Sequence, residues 1–251
     1  VYETPLLLVP PCINKYYIYD LREDNSFVKW MVDQGFTVFM ISWVNPDEKL
    51  AHKTFEDYAL EGVSAALQTI TRLTHHPHVH GMGFCIGGNI LSVYSASTRD
   101  TYLKSITFLA TPFDFEAVGD LQVFINEDQL NKIESYTQEK GYFDGKILAK
   151  TFNFMRANDL IWSFIINNYM LGKSPMAFDI LHWNNDTTRL PAAMYMYYLK
   201  NFFLKNLLIK PGFLTIKDQP VDLRSIKAPM YILNTHRDHI IPWECGYRGA
   251  Q

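Results

Sequence analysis

Short, continuous apolar segments alternate with amphipathic segments along the first part of the chain. Continuous apolar runs are typical of strands that are buried on both faces of a parallel sheet, and apolar positions three and four residues apart predict helices. Because strands and helices alternate, the sequence predicts an α/β fold with a doubly wound, mainly parallel sheet. The predicted strands are 5–9, 37–43, 78–84 and 104–110, and the predicted helices are 25–34, 55–73 and 87–97.

The alternation stops after Pro112. From there to about residue 215 the pattern is mostly helical and dense in Phe, Tyr, Trp and Met, and a fifth apolar strand follows at 228–234. An insertion at this place is where folds of this kind carry a helical lid. We therefore expect the first part of the α/β core at 1–112, a helical cap at 113–215 and a return to the core at 216–251.

Two segments of the predicted cap differ from the rest. Residues 194–208 are apolar nearly all round, which favours a buried cap helix. The alternatives are a wall for an acyl or polymer chain, a dimer face, or a surface that meets a hydrophobic particle. Residues 178–191 are irregular and dense in Asn, Asp and Trp, which predicts a packed, hydrogen-bonded loop but indicates no mechanism.

The amino-acid composition argues against several classes of function. Hydrophobic residues make up 48% of the chain and charged residues 20%, as in ordinary soluble globular proteins. The net charge of -3 provides no basic footprint, so we expect no nucleic-acid partner. Three scattered cysteines are too few for a disulfide framework and favour a reducing compartment. Their spacing matches no metal site, so we expect no metal.

Both ends of the sequence look truncated. Val1 stands just before a predicted core strand, without the charged and apolar segments of a signal peptide, and Gln251 falls inside a predicted helix. We interpret the chain as the middle of a longer protein. No apolar window of about 18 residues is present, so we expect no transmembrane segment.

Candidate chemistry begins at Cys85, which stands at the apex of a predicted strand–turn–helix with Gly83 and Gly87 two residues to either side. A G-x-nucleophile-x-G sequence in this context is typical of the nucleophile elbow of α/β-hydrolase-like folds. A Cβ at either glycine would collide with the neighbouring strand or helix. The helix amino terminus is expected to favour the thiolate of Cys85. The alternative is a buried, inert cysteine, which we expect instead for Cys12 and Cys245.

A cysteine nucleophile needs a base and an acid that orients it, and in this fold the chain order is nucleophile, acid, histidine. Asp238 follows the fifth predicted strand and is our candidate acid; the alternative is a turn residue or helix N-cap. His239 is near the site, but it lies too close to Asp238 on the same loop to serve as the base. His182 belongs to the predicted cap. His236 lies on the same loop as Asp238 and is excluded for the same reason as His239, and the remaining histidines precede Cys85. We therefore expect the catalytic histidine outside this chain.

The oxyanion hole requires two backbone N–H groups. Ile86, directly after the nucleophile, is expected to supply one, and the loop at 10–14 the other. Prolines cannot donate a hydrogen bond, which leaves Cys12 or Ile13, and Ile13 is our choice.

With these residues in place, the chain resembles the catalytic domain of polyhydroxyalkanoate synthases. The resemblance rests on VPPCINKYYIYDLREDNSFVKW, VFMISWVNPD, GFCIGGN, the segment from Asn158 to Pro191, and RDHIIPW. The PPCINKYY sequence and the helical cap are most similar to the single-subunit class I enzymes, which favour short acyl groups. By resemblance, Cys85 is the acylated cysteine and Asp238 the catalytic aspartate, with Ile13 and Ile86 as oxyanion amides. The family's glycine–histidine motif is absent, so we expect residues 1–251 alone to be inactive.

The resemblance implies an acyltransferase that moves (R)-3-hydroxyacyl groups from coenzyme A thioesters through a cysteine acyl-enzyme to a growing polyester. It implies no cofactor, since coenzyme A is part of the substrate. It also implies a homodimer and a cytoplasmic location at polyester granules. The alternatives are a thioesterase or depolymerase with a cysteine nucleophile, and a non-catalytic granule-associated homologue.

Overall fold

The computed structural model describes residues 1–98, 102–119, 125–155, 161–174, 179–238 and 240–251. Its strands are β1 Leu6–Val9, β2 Asp20–Arg22, β3 Asn25–Ser26, β4 Val38–Met40, β5 Val79–Phe84, β6 Leu103–Leu109, β7 Tyr142–Asp144, β8 Arg189–Pro191, β9 Leu214–Ile216, β10 Gln219–Val221 and β11 Met230–Leu233. Its α-helices are α1 Phe27–Asp33, α2 Ser64–Thr74, α3 Ile86–Ser97, α4 Glu127–Lys140, α5 Gly145–Met155, α6 Asp179–Asn185, α7 Ala192–Tyr198 and α8 Trp243–Gly249.

Five strands form the central sheet in the order β11-β6-β5-β1-β4, and every neighbouring pair is parallel. In β1, Leu7 lies opposite Phe39 on one side and Gly81 on the other. Because the sequence order departs from the order in the sheet, helical crossovers cover both faces. The predicted doubly wound parallel sheet is confirmed.

The buried core lies on both faces of this sheet. All four residues of β1 are buried. Leu7 and Val9 belong to the larger core cluster, whereas Leu6 and Leu8 belong to a second cluster that includes Tyr19 and Met31. Successive side chains of a strand point to opposite faces, so a strand buried on both faces needs a continuous apolar run. This explains the apolar pattern of β1.

The predicted strand at 37–43 is too long. Only Val38–Met40 form a strand, although the N–H of Ile41 still donates to the carbonyl of Leu8. The chain then leaves the sheet, and the indole of Trp43 donates to the carbonyl of Pro10 at 3.0 Å. The apolar run therefore continues past the strand because its last residues pack on the loop after β1.

The predicted helix at 55–73 is present and is wound as a π-helix at Asp57–Val63 before α2 begins. Thr54 and Asp57 form the reciprocal capping contact that the sequence predicts. The Asp57 N–H donates to the Thr54 hydroxyl at 3.2 Å, and the Thr54 N–H donates to the Asp57 carboxylate at 2.7 Å. This contact satisfies two backbone donors at the start of the helix.

Helices dominate the segment between β6 and β11. Strands β7 and β8 pair antiparallel within it, and α7 continues as a π-helix at Leu199–Leu204. The helical run ends there, and Asn206 takes a left-handed conformation (φ 49°) while its side-chain amide donates to Asp114 at 2.7 Å. Most side chains of α7 are buried, so the buried-helix interpretation of 194–208 holds for this part. The exact limits of the cap stay a prediction.

Aromatic rings join this helical segment to the core. Phe55, at the start of the helix before α2, stacks on Tyr198 and packs against Phe202. Phe115, just after β6, meets the same two rings edge-on. These four side chains are almost completely buried, so burial of apolar area holds the helices in place above the sheet. Within the described part of the chain, no helix is both long and apolar enough to cross a membrane.

Candidate active site

Cys85 stands at the sharp turn between β5 and α3. Its φ of 53° lies in the region that non-glycine residues rarely adopt. The turn is held because the Cys85 N–H donates to the carbonyl of Leu109 at 2.9 Å and its carbonyl accepts from Gly88 at 2.9 Å. Strained backbone of this kind persists only where the surroundings impose it, and it concentrates at functional sites.

The two flanking glycines permit this turn. A Cβ at Gly83 would collide with the backbone of Gly88 in α3, and a Cβ at Gly87 would collide with the carbonyl oxygens of Val9 and Pro10. Helix α3 therefore approaches both β5 and the end of β1 more closely than any other residue would allow. The sequence-based expectation for both glycines agrees with the geometry.

Cys85 lies at the wall of a cavity of about 350 Å³. The core contributes Ile13 and the pair Ile240 and Ile241, and the opposite wall comes mostly from α4, α5, α7 and the π-helix that follows α7. The lining is mainly aliphatic and aromatic, and among the described residues Lys132 is its only charged side chain. The arrangement suits an apolar ligand with a reactive group at Cys85.

Asp238 lies beside this cavity. Its Oδ1 accepts the N–H groups of Ile240 and Ile241, both at 2.9 Å, and both of these residues line the cavity. The turn-capping interpretation of Asp238 is therefore correct for one carboxylate oxygen. Asp238 also lies close enough to Cys85 for its charge to raise the pKa of the thiol. Both roles are compatible, and the catalytic role stays a prediction.

The thiol of Cys85 is not activated in the way that its position suggests. The net pKa is raised to about 11, mainly by burial; the Ile86 N–H at the sulfur lowers it, and the negative charge of Asp238 adds to the rise. The amide at the helix amino terminus favours the thiolate as expected, but desolvation outweighs that one hydrogen bond, so the net pKa of the thiol is raised. A separate base must therefore remove the proton.

The structure places both residues that were predicted to supply oxyanion amides at the site. Ile86 is completely buried at the first position of α3, with its N–H directed at the sulfur. Ile13 lines the cavity together with Cys85, while Cys12 is buried and is absent from the lining. This difference favours Ile13 over Cys12 as the second donor. The oxyanion role of both amides stays a prediction.

The loop that carries Ile13 is held by the segment for which the sequence suggested no mechanism. The Thr188 N–H donates to the Ile13 carbonyl at 2.9 Å, and the Thr188 hydroxyl donates to the Cys12 carbonyl. The indole of Trp183 donates to the carbonyl of Lys15 at 2.7 Å, and the ammonium of Lys15 pairs with Asp186 at 2.8 Å. The dense polar residues of this segment therefore fix the predicted oxyanion loop.

No described histidine lines the cavity. His80 lies near the amino end of β5, where its ring bonds the Ser105 hydroxyl at 2.7 Å, whereas Cys85 follows the carboxyl end of the same strand. His182 lies in α6. His239 falls outside the described residues, so its expected place near the site stays a prediction.

The burial of the other two cysteines agrees with the structural role that was predicted for them. Cys12 and Cys245 are both buried and are not in a disulfide. The described residues hold no cluster of three His, Cys, Asp or Glu side chains suited to a metal ion.

Sequence reasoning missed a polar contact beneath the cavity. The hydroxyl of Tyr198 in α7 donates to Oδ1 of Asn89 in α3 at 3.1 Å, and both side chains are buried. Asn89 was visible only as part of GFCIGGN, and Tyr198 was hidden in a run of aromatic residues. The available signal was the one amide side chain among the residues of α3.

Comparison with known proteins agrees with this geometry. A family model described as alpha/beta hydrolase fold matches residues 5–251. The chain is 48% identical over its full length to a poly(3-hydroxyalkanoate) polymerase of Methylorubrum extorquens, of which it covers 42%. It is 44% identical to a poly(3-hydroxyalkanoate) polymerase subunit of Rhizobium meliloti, of which it covers 41%. The chain thus spans less than half the length of these curated relatives.

Solved structures show the same fold at low identity. A hydrolase from Pseudomonas aeruginosa superposes with a TM-score of 0.54 at 12% identity, over 98% of this chain and 77% of the other. Identity at this level shows the fold alone.

The raised pKa of Cys85 predicts slow alkylation of the isolated chain at neutral pH. We expect the rate of labelling by iodoacetamide at Cys85, located by mass spectrometry, still to be rising at pH 9.5, since the pKa is raised to about 11. Asp238→Asn removes a negative charge that raises this pKa, so the labelling rate of this variant should rise at lower pH than that of the unaltered chain.

Asp222→Asn is the matched control, because Asp222 pairs with Arg224 at 2.7 Å and lies outside the cavity lining. Its labelling profile should equal that of the unaltered chain. A plateau of Cys85 labelling below pH 8 would contradict the burial argument.

Proposed function

The chain belongs to the alpha/beta hydrolase fold family, and we propose that it is the catalytic core of a poly(3-hydroxyalkanoate) polymerase. The observation that carries the proposal is a cysteine on a strained elbow, facing a mainly apolar cavity that a helical segment covers. The similarity to polymerases over the full chain supports this activity over others on the same fold.

In the proposed reaction, a base removes the proton of Cys85, and the thiolate attacks the thioester carbonyl of an (R)-3-hydroxyacyl-coenzyme A. The carbonyl oxygen becomes an oxyanion that accepts hydrogen bonds from the N–H groups of Ile86 and Ile13. The carbon–sulfur bond to coenzyme A then breaks, and coenzyme A leaves with the proton. The acyl group remains on Cys85 as a new thioester, so its activation is retained.

The second half of the reaction makes the ester. The 3-hydroxyl group of another acyl unit, or of the chain end, loses its proton to the base and attacks the acyl-enzyme. The thiolate of Cys85 leaves and regains the proton. Asp238 orients the base or assists the hydroxyl, and its place beside the cavity supports either role. The proposed reaction uses no cofactor, since coenzyme A belongs to the substrate.

Exclusion of water separates a polymerase from a thioesterase. Water in the site would hydrolyse the acyl-enzyme to a free acid. The apolar wall that α4, α5 and α7 place opposite Cys85 supports a site built to exclude it. The alternative activity is that of a thioesterase or depolymerase on the same fold. The two activities are distinguished by their product, which is polymer for a polymerase and free acid for a thioesterase.

We predict that Cys85→Ala in the full-length protein abolishes both acyl labelling and polymer formation, because the bond to the acyl group forms at its sulfur. The measurement is intact-protein mass spectrometry after incubation with (R)-3-hydroxybutyryl-coenzyme A, together with polymer yield. Cys245→Ala is the control, since Cys245 is buried outside the cavity lining. This variant should still be acylated at Cys85. Labelling that persists in Cys85→Ala would contradict the assignment.

The base is proposed to be a histidine outside residues 1–251, because no described histidine lines the cavity. We predict that these 251 residues alone release no coenzyme A from the thioester, since the thiol pKa of about 11 leaves almost no thiolate at neutral pH. Release can be followed with a thiol reagent. Turnover by the chain alone would show that a residue within it serves as the base.

Homodimerisation through the cap is also proposed, with a location at polyester granules. Several exposed apolar side chains of the cap support it, since large exposed apolar patches mark interaction sites. We refer to them together as the cap face; they are Phe154, Trp162, Ile166, Tyr169, Met170, Leu171 and Ile180.

We predict that Trp162→Glu shifts the full-length protein toward monomer in sedimentation velocity runs, because in the proposed dimer a charge on the cap face would be buried without a partner. Trp30→Glu is the matched control, since Trp30 on α1 has the same exposure of 54%. A dimer that is unaffected by Trp162→Glu would place the interface elsewhere.

A further inference from the structure

The buried contact between Tyr198 and Asn89 joins a wall of the cavity to the helix that follows the nucleophile. Tyr198 lines the cavity from α7, and Asn89 lies in α3, one turn after Cys85. The backbone N–H of Asn89 donates to the carbonyl of Cys85 at 3.3 Å. The tyrosine hydroxyl is therefore bonded to the same helical turn that carries the nucleophile.

The direction of this hydrogen bond follows from its neighbours. The side-chain NH₂ of Asn89 donates to the carbonyl of Pro112 at 2.6 Å, and a carbonyl can only accept. This fixes the orientation of the amide, so that Oδ1 is the atom facing Tyr198. An amide oxygen also only accepts, so the hydroxyl of Tyr198 must be the donor.

The oxygen of Tyr198 is therefore left as an acceptor. A phenolic hydroxyl has one proton and two lone pairs, and the proton is committed to Asn89. Burial, followed by the charge of Cys85, raises the pKa of Tyr198 well above its ordinary value, so the hydroxyl keeps its proton when the thiolate forms. A polar group that enters beside Tyr198 can donate a hydrogen bond to the tyrosine oxygen, but it cannot accept one from the tyrosine hydroxyl, whose proton is bonded to Asn89.

We propose that Tyr198 is a specificity-determining residue whose oxygen accepts a hydrogen bond from the 3-hydroxyl group of the acyl substrate. The proposal rests on the proposed function and deepens it, because it names what distinguishes a hydroxyacyl from a plain acyl group in a mainly apolar cavity. A hydroxyl placed there without a partner would lose its hydrogen bond to water, so a committed acceptor favours the hydroxylated substrate.

The test compares two substrates on one enzyme. The full-length protein is incubated with (R)-3-hydroxybutyryl-coenzyme A or with butyryl-coenzyme A, and the rate of Cys85 acylation is followed by mass spectrometry. We expect the unaltered protein to prefer the hydroxyacyl thioester and Tyr198→Phe to lose roughly tenfold of that preference, the factor that one hydrogen bond contributes. The rate with butyryl-coenzyme A should change little by comparison.

Tyr197→Phe is the matched control. It also removes a hydroxyl that donates a hydrogen bond, at 3.0 Å to the carbonyl of Thr215, but Tyr197 is absent from the cavity lining. Its substrate preference should equal that of the unaltered protein. A preference ratio is insensitive to the folded fraction, so partial destabilisation by Tyr198→Phe does not imitate the expected result.

Failure of the role proposed for Tyr198 and failure of the proposed function would give different results. An equal loss with both thioesters, or a preference that Tyr198→Phe leaves intact, would show that Tyr198 does not contact the 3-hydroxyl, while the proposed function would stand. An unaltered protein that takes up neither thioester would overturn the proposed function and this role with it.

Discussion

The close approach of α3 to the sheet is the constraint on which the rest of the site depends. Backbone atoms of Val9 and Pro10 lie where a Cβ of Gly87 would be, and backbone atoms of Gly88 lie where a Cβ of Gly83 would be. This proximity holds Cys85 at a φ of 53°. The strain is sustained because the hydrogen bonds of the turn and the buried face of α3 stabilise it on both sides. The same approach brings the Ile86 N–H to the sulfur and the loop after β1 to the edge of the cavity.

The cavity exists only because two parts of the chain are held together. One wall is the carboxyl edge of the parallel sheet, where ligands bind in folds of this kind. The other wall is helical, and its position depends on the packing of Phe55 and Phe115 against Tyr198 and Phe202. Beneath these rings the bond from Tyr198 to Asn89 adds a directional contact, which apolar packing alone does not supply. Aromatic packing thus holds the helical wall against the core, and one polar contact adds a directional constraint.

Local signals in the sequence predicted what depends on local physics. The period of the apolar pattern identified the strands and helices, and Thr54 with Asp57 identified a helix start, because each involves neighbours within a few residues. The strand at 37–43 was overestimated, since apolar residues that pack on a loop resemble strand residues. The role of Thr188 and Trp183 was unpredictable, because their partners lie far away in the sequence.

The sequence by itself determined the nucleophile elbow, the parallel sheet and the resemblance to polyester polymerases, because each is encoded in residues adjacent in the chain. The tertiary structure alone decided the state of the thiol. A helix amino terminus is visible in the sequence and favours the thiolate, but burial and the charge of Asp238 are properties of the assembled site, and together they raise the pKa of Cys85 to about 11. It likewise decided that Tyr198 donates to Asn89 in their buried hydrogen bond, since that direction follows from contacts among residues on three separate segments.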